Sequence, residues 1–373
     1  MGPLCVMTCV ILASFVMPLL QVWPALTFGF LDALSISLAP QTCSCPVDTA
    51  AASRPHDVIV MFVQKVHYGR VMKSLDALHA RFNGCFGKDV LLFHNGDFPP
   101  ELQADVTNLF PRVRFRLVKV GSSQWQLAPP KASAAKRKSQ QYPLTRWNYR
   151  VMFEVLEHLG YTWVMRMDDD SIIMSCIDYD PFAFLETHNF SHGYRLGHLV
   201  DPTAVHPLPE LVEEHIAQER FVLSLAFFSH FDQGVLRSSA WDRWAHHNSW
   251  MLTRISFWTS QRVKSWMDKV DASGVAYHHS VGDASIQMFA KMMFLQEHEV
   301  HHFTDWSFTH SPLVTVVPHT LLPSSFSRLV PRNYEWIGGV RDVKHVAKYR
   351  AELNWIFTYV LRPLSRRELW FPR

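Results

Sequence analysis

Two continuous apolar runs of strand length, Asp57 to Val63 and Asp89 to Phe93, flank a segment from Gly69 to Asn83 in which Val71, Leu75, Leu78 and Phe82 fall on one helical face. Apolar residues at that spacing bury one side of a helix, and apolar runs without polar alternation are strands covered on both faces. The succession is a βαβ unit. Its right-handed crossover makes a parallel sheet the expectation and puts ligands outside the carboxyl ends of the strands. Gly84 is the expected helix stop. Further along, Val113 to Val120 alternates apolar and basic residues as a half-exposed strand does, and Thr145 to Leu159 reads as a helix closed by Gly160. Tyr161 to Met167 is the next strand. Helices are expected near Leu208 to Glu219, Ser238 to His247 and Asp283 to Phe294, with a strand near Phe221 to Phe228. Lys131 to Gln141 has no periodicity and reads as a basic loop, and Val340 to Leu361 has the pattern of a terminal helix.

Composition narrows the class. Hydrophobic residues are 48% and aromatic residues 13% of 373, enough to bury a large core, while a net charge of +3 argues against a dedicated nucleic-acid binder. Six cysteines are too few for a disulfide scaffold. The charge is unevenly placed: no Lys or Arg precedes Arg54, and Asp32 is the single charged residue from Met1 to Leu38. The run Leu4 to Leu31 is long enough to cross a hydrocarbon core of about 30 Å or to serve as a signal sequence, although Pro18 and Pro24 interrupt it. No flanking basic residue orients it, so cleaved signal, uncleaved anchor and misassigned start stay open. Residues 1–40 are expected as signal-anchor or signal peptide and 41–56 as a short stem. Either secretory route leads to an oxidising compartment, in which Cys43 and Cys45, or Cys85 and Cys176, can pair; free buried thiols are the alternative. Asn189-Phe190-Ser191 is a glycosylation sequon.

The chemistry concentrates at Asp168-Asp169-Asp170, directly after the strand ending at Met167. Three carboxylates at a sheet's carboxyl edge repel one another without a cation, and carboxylates suit hard divalent ions that bridge nucleotide phosphates. A solvated acidic loop is the plainer alternative, and Arg166 neutralises part of the charge. Most histidines, including His278-His279 and His301-His302, lack the helical spacing of zinc motifs. His310 stands apart at an apolar strand exit before Ser311-Pro312. Asp232 lies in an aromatic stretch, Phe227 to Gly234, and so is expected to be buried, hydrogen-bonded, or functional, with capping or a turn before Gly234 as its plainer role. Asp283 sits where a helix N-cap is expected. No nucleophile elbow, Walker loop, dinucleotide fingerprint or zinc-type cysteine spacing occurs, which sets aside serine hydrolases, P-loop enzymes and zinc domains.

Seven segments in order, Ala80-Arg-Phe-Asn83, Arg146-Trp-Asn148, Tyr161-Thr-Trp-Val-Met-Arg-Met-Asp-Asp-Asp170, Asp178-Tyr-Asp-Pro-Phe182, Phe228-Ser-His-Phe-Asp-Gln-Gly234, Gly282-Asp-Ala284 and Phe308-Thr-His-Ser-Pro312, resemble the fungal Golgi α-1,2-mannosyltransferase family. The likeness runs from about Asp57 to Pro312. It implies an α/β, GT-A-like nucleotide-sugar-binding fold with a mixed, mostly parallel central sheet flanked by helices. The catalytic domain would span 57–315, with 316–373 an extension to which nothing carries over. It implies retaining transfer of mannose from a GDP-mannose donor to a mannoside glycan acceptor, with Mn²⁺ as cofactor, on the luminal side of a Golgi or ER-Golgi membrane and with no nucleic-acid partner. In the family the triplet reads Glu-Pro-Asp; Asp168 and Asp170 take the metal and phosphate positions, and His310 that of the metal-binding histidine. Asp232 falls on the proposed nucleophile, a glutamate in the family, and either attacks the anomeric carbon or stabilises an oxocarbenium-like state. Arg146 and Asp283 fall near donor and acceptor, and Arg81 near the nucleotide. A transferase using another nucleotide sugar and a non-catalytic lectin-like protein are the alternatives, because Asp169 replaces Pro and both glutamates are shortened.

Overall fold

The computed structural model describes residues 43, 45, 56–110, 113–121, 141–200, 205–223, 225–279, 281–310, 313–316 and 336–338. The apolar segment at 1–40, the basic loop at 131–140 and the terminal helix expected at 340–361 lie outside the described residues. Among those described, no helix is long and apolar enough to cross a membrane. The chain divides into a unit spanning Cys43–Trp306 and a second comprising Met1–Thr42 with Ser307–Arg373.

In the larger unit the βαβ expectation is met. Strand β1 (Asp57–Phe62) leads through helix α1 (Tyr68–Leu78) to β2 (Asp89–His94), and β2 lies parallel to β1 with Leu91 opposite Val60. Helix α1 buries Val71, Leu75 and Leu78. Its path does not stop at Gly84: it runs on through a π-turn (His79–Asn83) and Gly84–Phe86, and ends at Gly87. Gly84 has ordinary helical angles, φ −59°, whereas Gly87 takes φ 59°, the left-handed conformation that ends helices and that glycine adopts without a Cβ clash.

Helix α2 (Pro100–Leu109) then precedes β3 (Phe115–Lys119), which is parallel to β2. A helical stretch from Gln141–Arg146 passes through a second π-turn (Trp147–Val151) into α3 (Met152–His158). Strand β4 (Trp163–Met167) lies parallel to β1 and ends at the aspartates, beyond which β5 (Ser171–Ile173) forms. Next come α4 (Pro181–Thr187), capped by the Asp180 carboxylate, β6 (His192–Leu199), α5 (Leu208–Glu219), β7 (Trp244–Arg254), α6 (Gln261–Ser273), α7 (Asp283–Phe294) and β8 (Val300–His302). The sheet order is β3-β2-β1-β4-β7-β6-β8, with β7 antiparallel to both neighbours and the remaining pairs parallel. The sheet is therefore mixed and mostly parallel, with helices packed against it.

Two expected elements are different. Phe221 to Phe228 is not a strand: Leu225–Phe228 is a helical turn, and Phe227 and Phe231, four residues apart, stack with ring centroids 5.2 Å apart. The expected helix Ser238 to His247 is replaced by the start of β7, whose residues are buried almost continuously because the strand lies centrally between β4 and β6. Opposite β7, the register shifts between Tyr194 and Leu196, so β7 bulges at Asn248–Trp250. Asn189 of the sequon is exposed in the turn after α4.

The cysteines pair as Cys43–Cys176 and Cys45–Cys85, with Cα atoms 5.6 and 5.1 Å apart, which corrects the pairings expected from the sequence. The segments carrying Cys85 and Cys176 lie side by side, joined by the Ile177 amide donating to the Arg81 carbonyl at 2.9 Å. The two cysteines of the N-terminal strap thus each meet a different partner. In the smaller unit, β9 (Phe308–His310) and β10 (Leu313–Val316) form an antiparallel hairpin, and β11 (Trp336–Gly338) pairs antiparallel with β10.

Among the described residues, two lysines, Lys88 and Lys291, are buried in the larger unit. Lys88 donates to Asp57 at 2.9 Å and to Asp180 at 2.7 Å, over the face of Phe182. Lys88→Met takes away the cation both carboxylates share, and chemical denaturation should register a loss of about 3–5 kcal/mol, as for other broken buried pairs. Lys291 on α7 has His192 Nε2, at 3.3 Å, as its one side-chain hydrogen-bond partner among the described residues. Burial brings its pKa down to about 7 against the opposing pull of Asp283. In the unfolded chain the same group titrates at about 10.4, so between these values the unfolded state holds a proton that the folded state has released. Stability should therefore rise with pH across that window, with the full penalty in force below pH 7. Lys291→Met should flatten this rise and raise the melting temperature at pH 7; an unchanged slope would show that Lys291 is not its source.

Candidate functional site

The carboxyl ends of β1 and β4 open into a cleft of about 250 Å³ lined by Val60, Met61 and Phe62 of β1, Gln64 and His67 before α1, Thr145, Trp147 and Asn148, Arg166, Asp168 to Asp170, and Asp283. One wall is apolar and the other acidic, as the sheet topology anticipates.

The acidic wall is built around Arg166. Residues of β4 two apart point to the same side, so Arg166 and Asp168 project together. Arg166 Nη2 donates to Asp168 Oδ1 at 2.9 Å and Nη1 to Asp283 Oδ2 at 2.5 Å. Burial works against the guanidinium charge, but the two carboxylates outweigh it and raise its pKa. Asp283, in the first turn of α7, is also reached by Asn248 Nδ2 at 3.3 Å. The same amide nitrogen donates to Gln287 Oε1 at 2.7 Å, and Gln287 donates in turn to the Asn148 carbonyl. The bulge in β7 supplies the other support: the Ser249 carbonyl accepts from the Asp168 amide at 3.0 Å and from Ser171 Oγ at 2.9 Å.

Helix α1 fastens the rest of the triplet. His67 Nδ1 lies 2.6 Å from Asp169 Oδ2, Arg70 is 3.5 Å from Asp170 and 4.0 Å from Asp169, Ser74 Oγ donates to the Ser171 carbonyl, and Arg81 Nη1 donates to the Ile173 carbonyl at 3.0 Å. These donors recur every three to seven residues, one face of the helix, and meet successive residues of the acidic segment. Burial pushes the Asp169 carboxyl up, opposed by His67 and Arg70.

The residues singled out from the sequence are distributed unequally. Asp168, Asp170 and Asp283 line the cleft, with Asp168 and Asp283 joined through Arg166. Asp283 is both at the helix start and in the site. Arg81 holds the Ile173 carbonyl, and Arg146 is 3.0 Å from Asp271 of α6, so neither lines the cleft. Asp232 is not buried as expected: it is exposed in a 3₁₀ turn (Asp232–Gly234), and among the described residues no hydrogen bond or ion pair engages its carboxylate. His310 is on β9 in the smaller unit. His67, Arg70, Asn248 and Ser249 had no motif to announce them. His67 and Arg70 precede an amphipathic helix as ordinary polar residues do, and the carbonyl of Ser249 reaches the triplet only because of the bulge.

Among the described residues, no three His, Cys, Asp or Glu side chains are grouped to hold a metal ion. The donor chemistry nevertheless fits a hard divalent cation. Arg166 takes one oxygen of Asp168, leaving Oδ2 for a metal, and ions such as Mg²⁺ commonly use one or two carboxylates plus substrate phosphates and water.

Comparison with known proteins bears on the whole arrangement. The chain is 21% identical over 265 residues to glycolipid 2-alpha-mannosyltransferase 2 of Candida albicans, covering 65% of this chain and 55% of that protein. It is 25% identical over 158 residues to alpha-1,2 mannosyltransferase KTR1 of Saccharomyces cerevisiae, covering 41% and 38% of the respective chains. The match thus spans about half the length of the first relative and less of the second. The structure of the mannosyltransferase Ktr4p from S. cerevisiae in complex with GDP superposes with a TM-score of 0.65 at 16% identity, covering 78% of this chain and 82% of that one. Core-mannan synthase A from Aspergillus fumigatus, in its Mn/GDP form, gives a TM-score of 0.63 at 16% identity, with 70% and 76% covered. The fold is therefore GT-A-like. Residues 35–327 match the family described as glycolipid 2-alpha-mannosyltransferase, and the chain belongs to that family.

Proposed function

We propose that this chain is a retaining α-1,2-mannosyltransferase that moves mannose from GDP-mannose to a mannoside acceptor on glycoprotein or glycolipid glycans. The observation that carries this reading is the acidic triplet at the carboxyl end of β4, set in a cleft and tied through Arg166 to Asp283. Family membership and the GT-A-like fold support it. The apolar wall from β1 and Trp147 suits a nucleotide base, and the carboxylate wall suits sugar hydroxyls.

In this reading Asp168 and Asp170 would hold a divalent cation, Mn²⁺ by preference. Such an ion, when bound, offsets the charge that develops on the leaving diphosphate. The bond from the anomeric carbon to the β-phosphate oxygen breaks with its electron pair on GDP, the acceptor oxygen bonds to that carbon, and the acceptor proton passes to the departing diphosphate. Asp283, held by Arg166 and Asn248, orients the acceptor hydroxyl before transfer. Asp232 serves the anomeric centre, either by attacking it or by stabilising its positive charge. The reading extends to a type II membrane protein of the Golgi or ER-Golgi with a luminal catalytic unit, supported by the charge-free apolar run at the N-terminus and by the two disulfides.

Mn²⁺-dependent GDP release from GDP-mannose, measured with an α-mannoside acceptor, tests the reading, and a panel of other nucleotide sugars tests the donor. Asp168→Asn and Asp170→Asn should each lower kcat on the order of a hundredfold, the usual scale for lost transition-state charge stabilisation. Full activity in either variant sinks its metal assignment. Glycan binding without GDP or Mn²⁺ binding would instead identify a lectin-like protein.

A further inference from the structure

His67 has no part in the mechanism above, yet it lines the cleft beside the three aspartates. Its ring is oriented: Nδ1 is 2.6 Å from Asp169 Oδ2. An ionised carboxylate can only accept, so Nδ1 carries the hydrogen of this bond. Asp169 is itself held in place by Arg70, and it stands where the family's Glu-Pro-Asp pattern has proline. A proline there could not accept from the imidazole. With Nδ1 committed, Nε2 is the one remaining polar atom of the ring, and among the described residues nothing hydrogen-bonds to it. The side chain is 32% exposed, enough for a ligand in the cleft to reach it. A carboxylate that fixes one nitrogen of an imidazole and so presents the other is a recurrent device for aiming histidine at a ligand.

We propose that His67, aimed by Asp169, is a substrate-binding residue that hydrogen-bonds through Nε2 to a sugar hydroxyl in the cleft. The inference rests on the nucleotide-sugar reading given above. A hydroxyl both donates and accepts, so it satisfies Nε2 whether the ring is neutral or protonated. A phosphate oxygen only accepts, and would need the protonated ring. The surrounding wall of Asp168, Asp169, Asp170 and Asp283 favours hydroxyl groups over anions for the same reason. Three groups bring hydroxyls to this cleft, the ribose of the nucleotide, the donor mannose and the acceptor sugar.

His67→Asn separates the two roles of the ring. Its side-chain amide stands where Nδ1 stands and can keep the bond to Asp169, but nothing replaces Nε2. Calorimetry on the full chain with Mn²⁺ would compare GDP, 2′-deoxy-GDP and 3′-deoxy-GDP, and initial rates would be followed against methyl α-mannoside and GDP-mannose. If the ribose is the ligand, wild type should bind GDP about fivefold more tightly than one of the deoxy forms, a hydrogen bond's usual worth, and His67→Asn should abolish that preference. If the acceptor is the ligand, the deoxy preference persists in the variant while KM for the mannoside rises about fivefold with kcat little changed. If the donor mannose is the ligand, KM for GDP-mannose rises about fivefold while the deoxy preference and the mannoside KM stay as in wild type. A variant that folds with an unaltered melting temperature and shows none of these effects overturns the proposal, as does an equal loss of affinity for all three nucleotides. Should His67→Asn not fold, His67→Gln, which restores a polar atom near Nε2, must retain the hydroxyl preference for the proposal to stand. If wild type binds neither GDP nor mannoside, the transferase reading itself falls, an outcome distinct from binding without any dependence on His67.

Discussion

The site depends on one buried cation held between two carboxylates. Arg166 is 6% exposed, and a guanidinium so far from water is tolerable only with full compensation. The planar fork of arginine allows it to reach Asp168 on its own strand and Asp283 on a distant helix at once, which an ammonium group cannot do in the same geometry. Because Asp168 precedes the turn into β5 and Asp283 opens α7, this bridge ties the two halves of the sheet's carboxyl edge into one constellation. The supports around it are of the same kind. Asn248 and Gln287 fix Asp283 from below, the Ser249 carbonyl fixes the backbone of Asp168, and α1 holds the remainder of the triplet. Nearly every polar group of the acidic wall is oriented before a ligand arrives, which lowers the cost of organising it on binding.

The β7 bulge is the least conspicuous part of this design and the most consequential for the core. Extra residues are inserted opposite Arg195, beyond which His246 lies on the Tyr194 ring at 3.7 Å, while His302 stacks on Tyr194 at 4.5 Å and His192 lies 5.6 Å from His246. Burial lowers the pKa of all three histidines and keeps the column neutral. Neutral rings pack like aromatic hydrocarbons while still offering a hydrogen-bond partner to Lys291, which explains how an ammonium group is accommodated in the interior at all.

What the linear chain disclosed was the local, periodic part of the structure. The βαβ unit, β4 with its acidic terminus and α7 with Asp283 at its start follow from apolar spacing and capping chemistry. The central strand β7 did not, because Trp244, Ala245, His246 and Asn248 carry helix-compatible spacing and polar residues, and only two flanking strands make that sequence extended. Residue types also mislead where tertiary position decides the role. Asp232 in an aromatic stretch suggested burial, yet it is exposed, while the neighbouring Phe227 and Phe231 are buried and stack on each other. Arg81 and Arg146, singled out by the family resemblance alone, are engaged by the Ile173 carbonyl and by Asp271. His67 and Asp169 are more than one hundred positions apart, and no local pattern links them.

The cysteine connectivity carries a consequence for synthesis. As the polypeptide emerges from its amino end, Cys45 meets Cys85 early, once β1 and α1 have been made, whereas Cys43 must wait for Cys176, which follows β4 and β5. The first crosslink can therefore form on a nascent fragment, but the second closes only around a nearly complete parallel half-sheet. Until then Cys43 is a bystander thiol beside a reactive neighbour, and its correct oxidation reports that the strand bearing the acidic triplet has docked. The outer disulfide is in effect a covalent record that the catalytic edge of the sheet was assembled before the chain was sealed.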